Sequence, residues 1–183
     1  MHEYFAAPKN PISDDAPDWQ KAHEIDDVLL DKNGEPPKQG VPLTAILYQG
    51  KGREKHPEIY GKDVHGSVFG DADYYAITYD DARPYGPDIS NHRVSLKNPA
   101  VIHSDKDVSA WVDGEPIPWD NESRIGYFAR VSQTIKDAGH DGIVVSVPYS
   151  DDVGFSGGRV KRLREVFGVS QVVVFKGTGS QTK

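Results

Sequence analysis

The stretch Tyr74-Tyr75-Ala76-Ile77-Thr78-Tyr79-Asp80-Asp81-Ala82-Arg83-Pro84-Tyr85-Gly86 decides the fold. Its first five residues are aromatic, β-branched or small, a mix that suits a pleated, half-buried surface, so a strand is expected over 74–78. Asp80-Asp81 then favours a helix start, and Pro84 and Gly86 keep that helix short. An aromatic strand running directly into a polar helix start can form one wall of a pocket. The other walls must come from the flanking segments.

Upstream, Asn33-Gly34 lies between the apolar run Val28-Leu29-Leu30 and the run Leu43 to Tyr48, and predicts a hairpin because both turn positions tolerate positive φ. The return strand is delayed by Pro36-Pro37-Lys38-Gln39-Gly40 and ends in Tyr48-Gln49-Gly50-Lys51-Gly52. That ending reads either as an ordinary turn or as a glycine-flexible loop where backbone approaches a ligand. Residues 1–16 carry no apolar period and read as an N-terminal arm. Trp19, Ala22 and Ile25, after the N-cap candidate Asp15, predict a short helix to about residue 27. The segment 51–70 is polar and turn-rich.

Downstream, Asn91–Leu96 and the extended segment Lys97–Ile102 that follows a turn read as two strands separated by Asn-Pro. Residues 105–122 read as an irregular loop in which Trp111 and Trp119 act as packing anchors. Ile125, Phe128, Ala129, Ser132 and Ile135 recur at helical spacing, with Gly139 as the cap that ends the helix. Ile143–Val147 is almost wholly apolar, as a buried central strand would be. A Gly/Ser/Asp loop follows at 149–158, then a short helix with Val160, Leu163, Val166 and Phe167 on one face. Lys161, Arg162 and Arg164 occupy its other face, which reads as solvated or as a phosphate or partner contact. Gln171–Phe175 is a final strand before a polar tail.

Composition narrows the classes. With 183 residues the chain is long enough for one well-buried core, here placed over residues 17–183 as a single α+β domain of short helices flanking a largely antiparallel sheet. A formal charge of −7 disfavours extended contact with a nucleic-acid backbone or an anionic membrane. No apolar run is long enough to span a bilayer, and the start Met1-His2-Glu3-Tyr4 lacks the pattern of a secretory signal. The absence of Cys removes disulfides and thiolate chemistry and fits a cytoplasmic location. The seven His residues lack ligand spacing, so no metal site is expected, and no P-loop, zinc-protease, nucleophile-elbow or dinucleotide glycine motif is present.

Five blocks in order carry a resemblance: Asp31–Pro36 with Leu47-Tyr48-Gln49-Gly50; Tyr74–Gly86; Val94–Ile102; Gly139–Val145; and Gln171–Phe175. Over roughly residues 19–180 the chain resembles ADP-ribosyltransferases, and is most similar to their diphtheria-toxin-like and PARP-like class in the form found in phage and mobile-element polyproteins. The resemblance implies a split, mainly antiparallel β-fold that binds NAD as substrate in a cleft, breaks the nicotinamide–ribose bond and transfers ADP-ribose to a protein, nucleic acid or small molecule. It implies that Tyr48, Gln49 and Gly50 hold adenosine ribose and the nicotinamide amide, that Tyr75 and Tyr85 sandwich nicotinamide, and that Thr78 supports the pocket. Aromatic faces favour a cationic ring by stacking and cation–π attraction.

Two positions depart from the family pattern. Gln49 stands where the family has His or Arg, and Gln171 stands where it has the Glu that stabilises the oxocarbenium ion. Glu165, on the expected short helix, is the nearby alternative carboxylate, and an exposed helical side chain is its other reading. Transfer to a macromolecular target, or binding of NAD, ADP-ribose or a protein partner without transfer, are the two functions implied.

Overall fold

The computed structural model describes residues 2–6, 29–52, 55, 68–146, 166–167, 170–177 and 181–182. In chain order these form β1 (His2–Ala6), β2 (Leu29–Asp31), β3 (Leu43–Lys51), β4 (Ala72–Ala76), α1 (Tyr79–Ala82), β5 (Asp88–Leu96), β6 (Pro99–Ile102), α2 (Asp105–Ser109), α3 (Asn121–Asp137), β7 (Gly142–Val145), β8 (Gln171–Phe175) and β9 (Gln181–Thr182). The class is α+β. One curled sheet runs β2-β1-β3-β4-β8-β7-β6, with β5 on the second edge of β3 and β9 beyond it. Among the described strands only β1–β3 and β6–β7 pair parallel. Among the described residues no helix is long and apolar enough to cross a membrane.

Strands β6, β7 and β8 explain why the core has two parts. Their residues are apolar on both faces, as strands covered on both sides must be. Ala100, Ile102, Ile143, Val145, Val173 and Phe175 face one cluster, closed by Tyr127, Phe128, Val131 and Ile135 of α3. Val101, Val144, Val172 and Val174 face the other, closed by Leu43, Ala45 and Leu47 of β3, Val94 and Leu96 of β5, and Tyr75 and Ile77. The β3–β5 half of the sheet therefore curls over the half that α3 covers from behind.

The turn between β5 and β6 is fixed from a distance. Asp141 is buried, and its carboxylate accepts the Lys97 N–H at 2.7 Å and the Asn98 N–H at 3.0 Å. The Asn98 side chain donates to the Gly139 carbonyl at 2.9 Å, and the Asn98 carbonyl lies 3.0 Å from His140 Nδ1. The segment that ends α3 thus clamps the segment that starts β6.

Several expectations change. Residues 2–6, expected within an arm, are strand β1, paired antiparallel with β2 and parallel with β3, with Tyr4 buried. The predicted hairpin does not close, because β1 lies between β2 and β3. The turn itself forms, with Asp31 accepting the Asn33 and Glu35 N–H groups, but Pro36 and Pro37 lack the donors for an immediate return ladder. The loop expected at 105–122 contains α2 and a 3₁₀ turn at Ala110–Val112. Trp111 packs edge-on to His140 at 5.4 Å, whereas Trp119 is 64% exposed and anchors no core. Helix α3 starts earlier than expected, capped by Asp120 accepting the Ser123 N–H, and its buried stripe is Tyr127, Phe128, Val131, Ser132 and Ile135; Ile125 is exposed. Two residues of the expected tail form β9 against β5. The helix expected before residue 28 and most of that expected over 160–167 lie outside the described residues.

Replacing Asp141 by Ala leaves two backbone donors without their carboxylate and should cost about 2–4 kcal/mol. Asp141→Asn, which keeps one acceptor, should cost less. Chemical denaturation of the three proteins checks the order; equal stability would contradict the clamp.

Candidate functional site

One edge of β3 is divided among three partners. Its start, Leu43 to Ala45, pairs with β1; Tyr48 alone pairs with β4, opposite Ala76; and its end abuts the turn 79–86. Two glycines make that last contact possible. A Cβ on Gly50 would collide with the Ala82 carbonyl oxygen, and one on Gly86, at φ 151°, would collide with the Lys51 carbonyl. Because β3 and β4 share one rung and then separate, a cleft of about 170 Å³ opens at the joint. Tyr48, Gln49, Gly50 and Lys51 line one side, Ala72 and Tyr74 to Ala76 the other, with Ala82 and Tyr85 from the turn and Gln171 from β8.

Six of the eight predicted site residues thus meet at one cleft: Tyr48, Gln49, Gly50, Tyr75, Tyr85 and Gln171. Tyr75 is 4% exposed, packs within the core and meets the His92 ring edge-on at 5.5 Å, so its ring is held by its neighbours. Tyr85 closes the 3₁₀ turn Arg83–Tyr85 and is half-buried. Tyr48 meets Tyr79, which is 54% exposed, edge-on at 6.3 Å on the rim. Gln171 opens β8 in register with Ala76 on one side and Val145 on the other, and its side-chain amide donates to the Phe167 carbonyl at 3.4 Å.

Thr78 does not line the cleft. Its hydroxyl caps α1 by accepting the Asp81 N–H at 3.2 Å, so it shapes the turn that carries Ala82 and Tyr85. Glu165 lies outside the described residues. None of the described lining residues is Asp or Glu, and Lys51 is their only charge.

Tyr74 and Lys51 also line the cleft, although the sequence did not single them out for it. Strand alternation puts Tyr74 on the opposite face from Tyr75, where it packs against the α3-side cluster. Its hydroxyl donates to the Gly70 carbonyl at 2.9 Å and accepts the Phe69 N–H at 3.0 Å, fixing the turn before β4. Burial pushes the phenol up to about 12, partly offset by the Phe69 N–H. A doubled tyrosine is the only sequence signal for it, and a single Lys in a glycine loop carries none.

A site smaller than the ~300 Å³ lower range of ligand pockets suits one planar ring with its substituent, while a larger ligand must continue past the rim. Comparison of the chain with protein-family models, with curated proteins and with solved structures found no match.

Two outcomes are expected. Gly50→Ala should cost about 1–3 kcal/mol by pushing the 79–86 turn away from β3, seen as a lowered Tm. The raised Tyr74 phenol contributes stability that is complete below the unfolded value of 10.0 and is lost as pH rises towards about 12. In tyrosinate absorbance titrations, Tyr74→Phe should remove one late-titrating group from the nine tyrosines. An unchanged alkaline limb would contradict that assignment.

Proposed function

We propose that the cleft binds the nicotinamide end of NAD and that the protein is an ADP-ribosyltransferase of the diphtheria-toxin-like class. One observation carries the reading: the three β3 positions, the two aromatics and the β8 position that the resemblance selects, spread from residue 48 to residue 171, line a single cleft at the β3–β4 joint. The cleft's size and aromatic walls suit a flat cationic ring. Tyr75, held by the core, is a preorganised face, and Tyr85 is the face that the turn brings to it.

In this reading the turn orients the ring, and the backbone of β3 offers the hydrogen-bonding groups that read the ring's amide. Cleavage of the nicotinamide–ribose bond builds positive charge on the ribose, and the side chain that β8 brings to the cleft is the neutral Gln171 amide. It can accept a ribose hydroxyl but contributes no net charge to the developing cation, so transfer is slow. The acceptor is a macromolecule, a protein or a nucleic acid, that reaches the ribose from the open side.

The absence of a carboxylate among the described lining residues favours a second reading, binding of NAD, ADP-ribose or a protein partner without transfer. The two readings separate on chemistry. Incubation with NAD should release nicotinamide slowly under the first and not at all under the second, and Gln171→Glu should raise the release rate by about 10²–10³-fold. Tyr85→Ala should weaken NAD binding by calorimetry. At Tyr75 the substitution to Leu is the informative one, because Tyr75→Ala would also remove a core aromatic at a cost of about 3–5 kcal/mol. NAD affinity unaltered in both variants would sink the pocket assignment.

A further inference from the structure

Lys51 ends β3 and is the only charged residue among the described residues lining the cleft. No ion pair with a described residue engages it. Asp88 faces it across the β3–β5 ladder, but the Asp88 carboxylate lies 3.6 Å from Lys55 Nζ instead. The chain is acidic, with a formal charge of −7, so an ammonium that is the one charge among the described residues of an aromatic cleft, and is paired with no described carboxylate, marks this spot for an anion. Its position also fits the reach of a dinucleotide. Three residue steps of about 3.3 Å carry β3 roughly 10 Å from the Tyr48 rung to Lys51, comparable to one nucleoside laid along the strand.

We propose that Lys51 binds the diphosphate of the dinucleotide at the mouth of the cleft; this rests on the reading of the cleft as an NAD site. The ring enters the aromatic end beside Tyr75 and Tyr85, the ribose passes along Gln49 and Gly50, and the diphosphate meets the ammonium where β3 ends. An ammonium on a flexible stem serves here as a point charge, which suits a phosphate that remains in contact with water.

The test titrates the full chain, and its Lys51→Met and Lys51→Glu variants, with NAD, ADP-ribose and free nicotinamide at low and high salt. Lys51 is exposed, so both variants should fold, which thermal melts verify. Expected is a Kd for NAD and for ADP-ribose about tenfold higher in Lys51→Met and higher still in Lys51→Glu, with nicotinamide unaffected. Wild-type NAD binding should weaken with salt, and that dependence should flatten in Lys51→Met. If wild type binds NAD and nicotinamide but Lys51→Met keeps its NAD affinity within about twofold, Lys51 is not the diphosphate ligand. Loss of nicotinamide binding in the variant would equally overturn the proposal by making Lys51 a structural residue. Should wild type bind none of the three ligands, the reading of the cleft itself fails and the role of Lys51 goes with it.

Discussion

The single backbone rung between Tyr48 of β3 and Ala76 of β4 is the constraint on which the rest depends. A strand edge offers a fixed row of donors and acceptors, and β3 divides one of its edges among β1, β4 and the 79–86 turn. Had β4 continued along β3, the ladder would have closed the sheet and left no cleft. The turn prevents this by occupying the space beside Gly50 and Lys51, and it can do so only because Gly50 and Gly86 leave room for backbone against backbone. The cleft is thus the place where ladder pairing stops, walled by polar backbone that the two sheet halves leave to one another.

A joint held by so few bonds needs support from elsewhere. It comes from the alternation of β4: Tyr75 is built into the cluster shared with β3 and β5, while Tyr74 packs into the cluster under α3 and ties its hydroxyl to the 69–70 turn. Consecutive tyrosines therefore pin the strand from both faces. Strand β8 completes the support, pairing with all five residues of β4 and with β7, so that the start of β8 arrives at the cleft with little freedom. Gln171 inherits its position from that register.

The parts of this arrangement that were legible in the sequence are those whose signal is local. Ile143 to Val145 and Val172 to Phe175 read as buried strands because both faces are apolar, and the tyrosine pair marks the strand before Asp80-Asp81, although that strand is Ala72–Ala76, two residues earlier than the expected 74–78, because Thr78 serves as the helix cap. The signals that failed are non-local. His2–Ala6 has one buried side chain, Tyr4, and becomes a strand because two distant partners supply its hydrogen bonds. The apolar period of α3 seemed to include Ile125, whereas the core is met by Tyr127 and Val131, one step round the helix, because the Asp120 cap sets where the helix begins and the β6–β8 face sets which stripe is covered. For the cleft, six of the eight residues named from the sequence blocks line it, and Thr78 instead caps the adjoining helix. Lys51 and Tyr74 were not legible, since their part depends on where β3 ends and which face of β4 they share.

The identity of residue 171 separates affinity from chemistry in a way the fold permits. In the proposed reading, aromatic walls attract the ring while it carries the charge and less so as that charge passes to the ribose, so they contribute to binding without lowering the barrier. A carboxylate at the start of β8 would act differently, since its field matters most when charge appears on the ribose. Gln171 keeps the shape and the hydrogen-bonding capacity of that group and deletes the charge, in a buried place where charge would be least screened and its effect largest. The same burial makes a carboxylate there costly in the resting protein, because nothing among the described lining residues except Lys51, at the far end of β3, could offset it. The neutral amide is therefore the more stable occupant of the site, and in the proposed reading Gln171 gives up catalytic field for a settled β4–β8–β7 register while the aromatic walls stay unchanged.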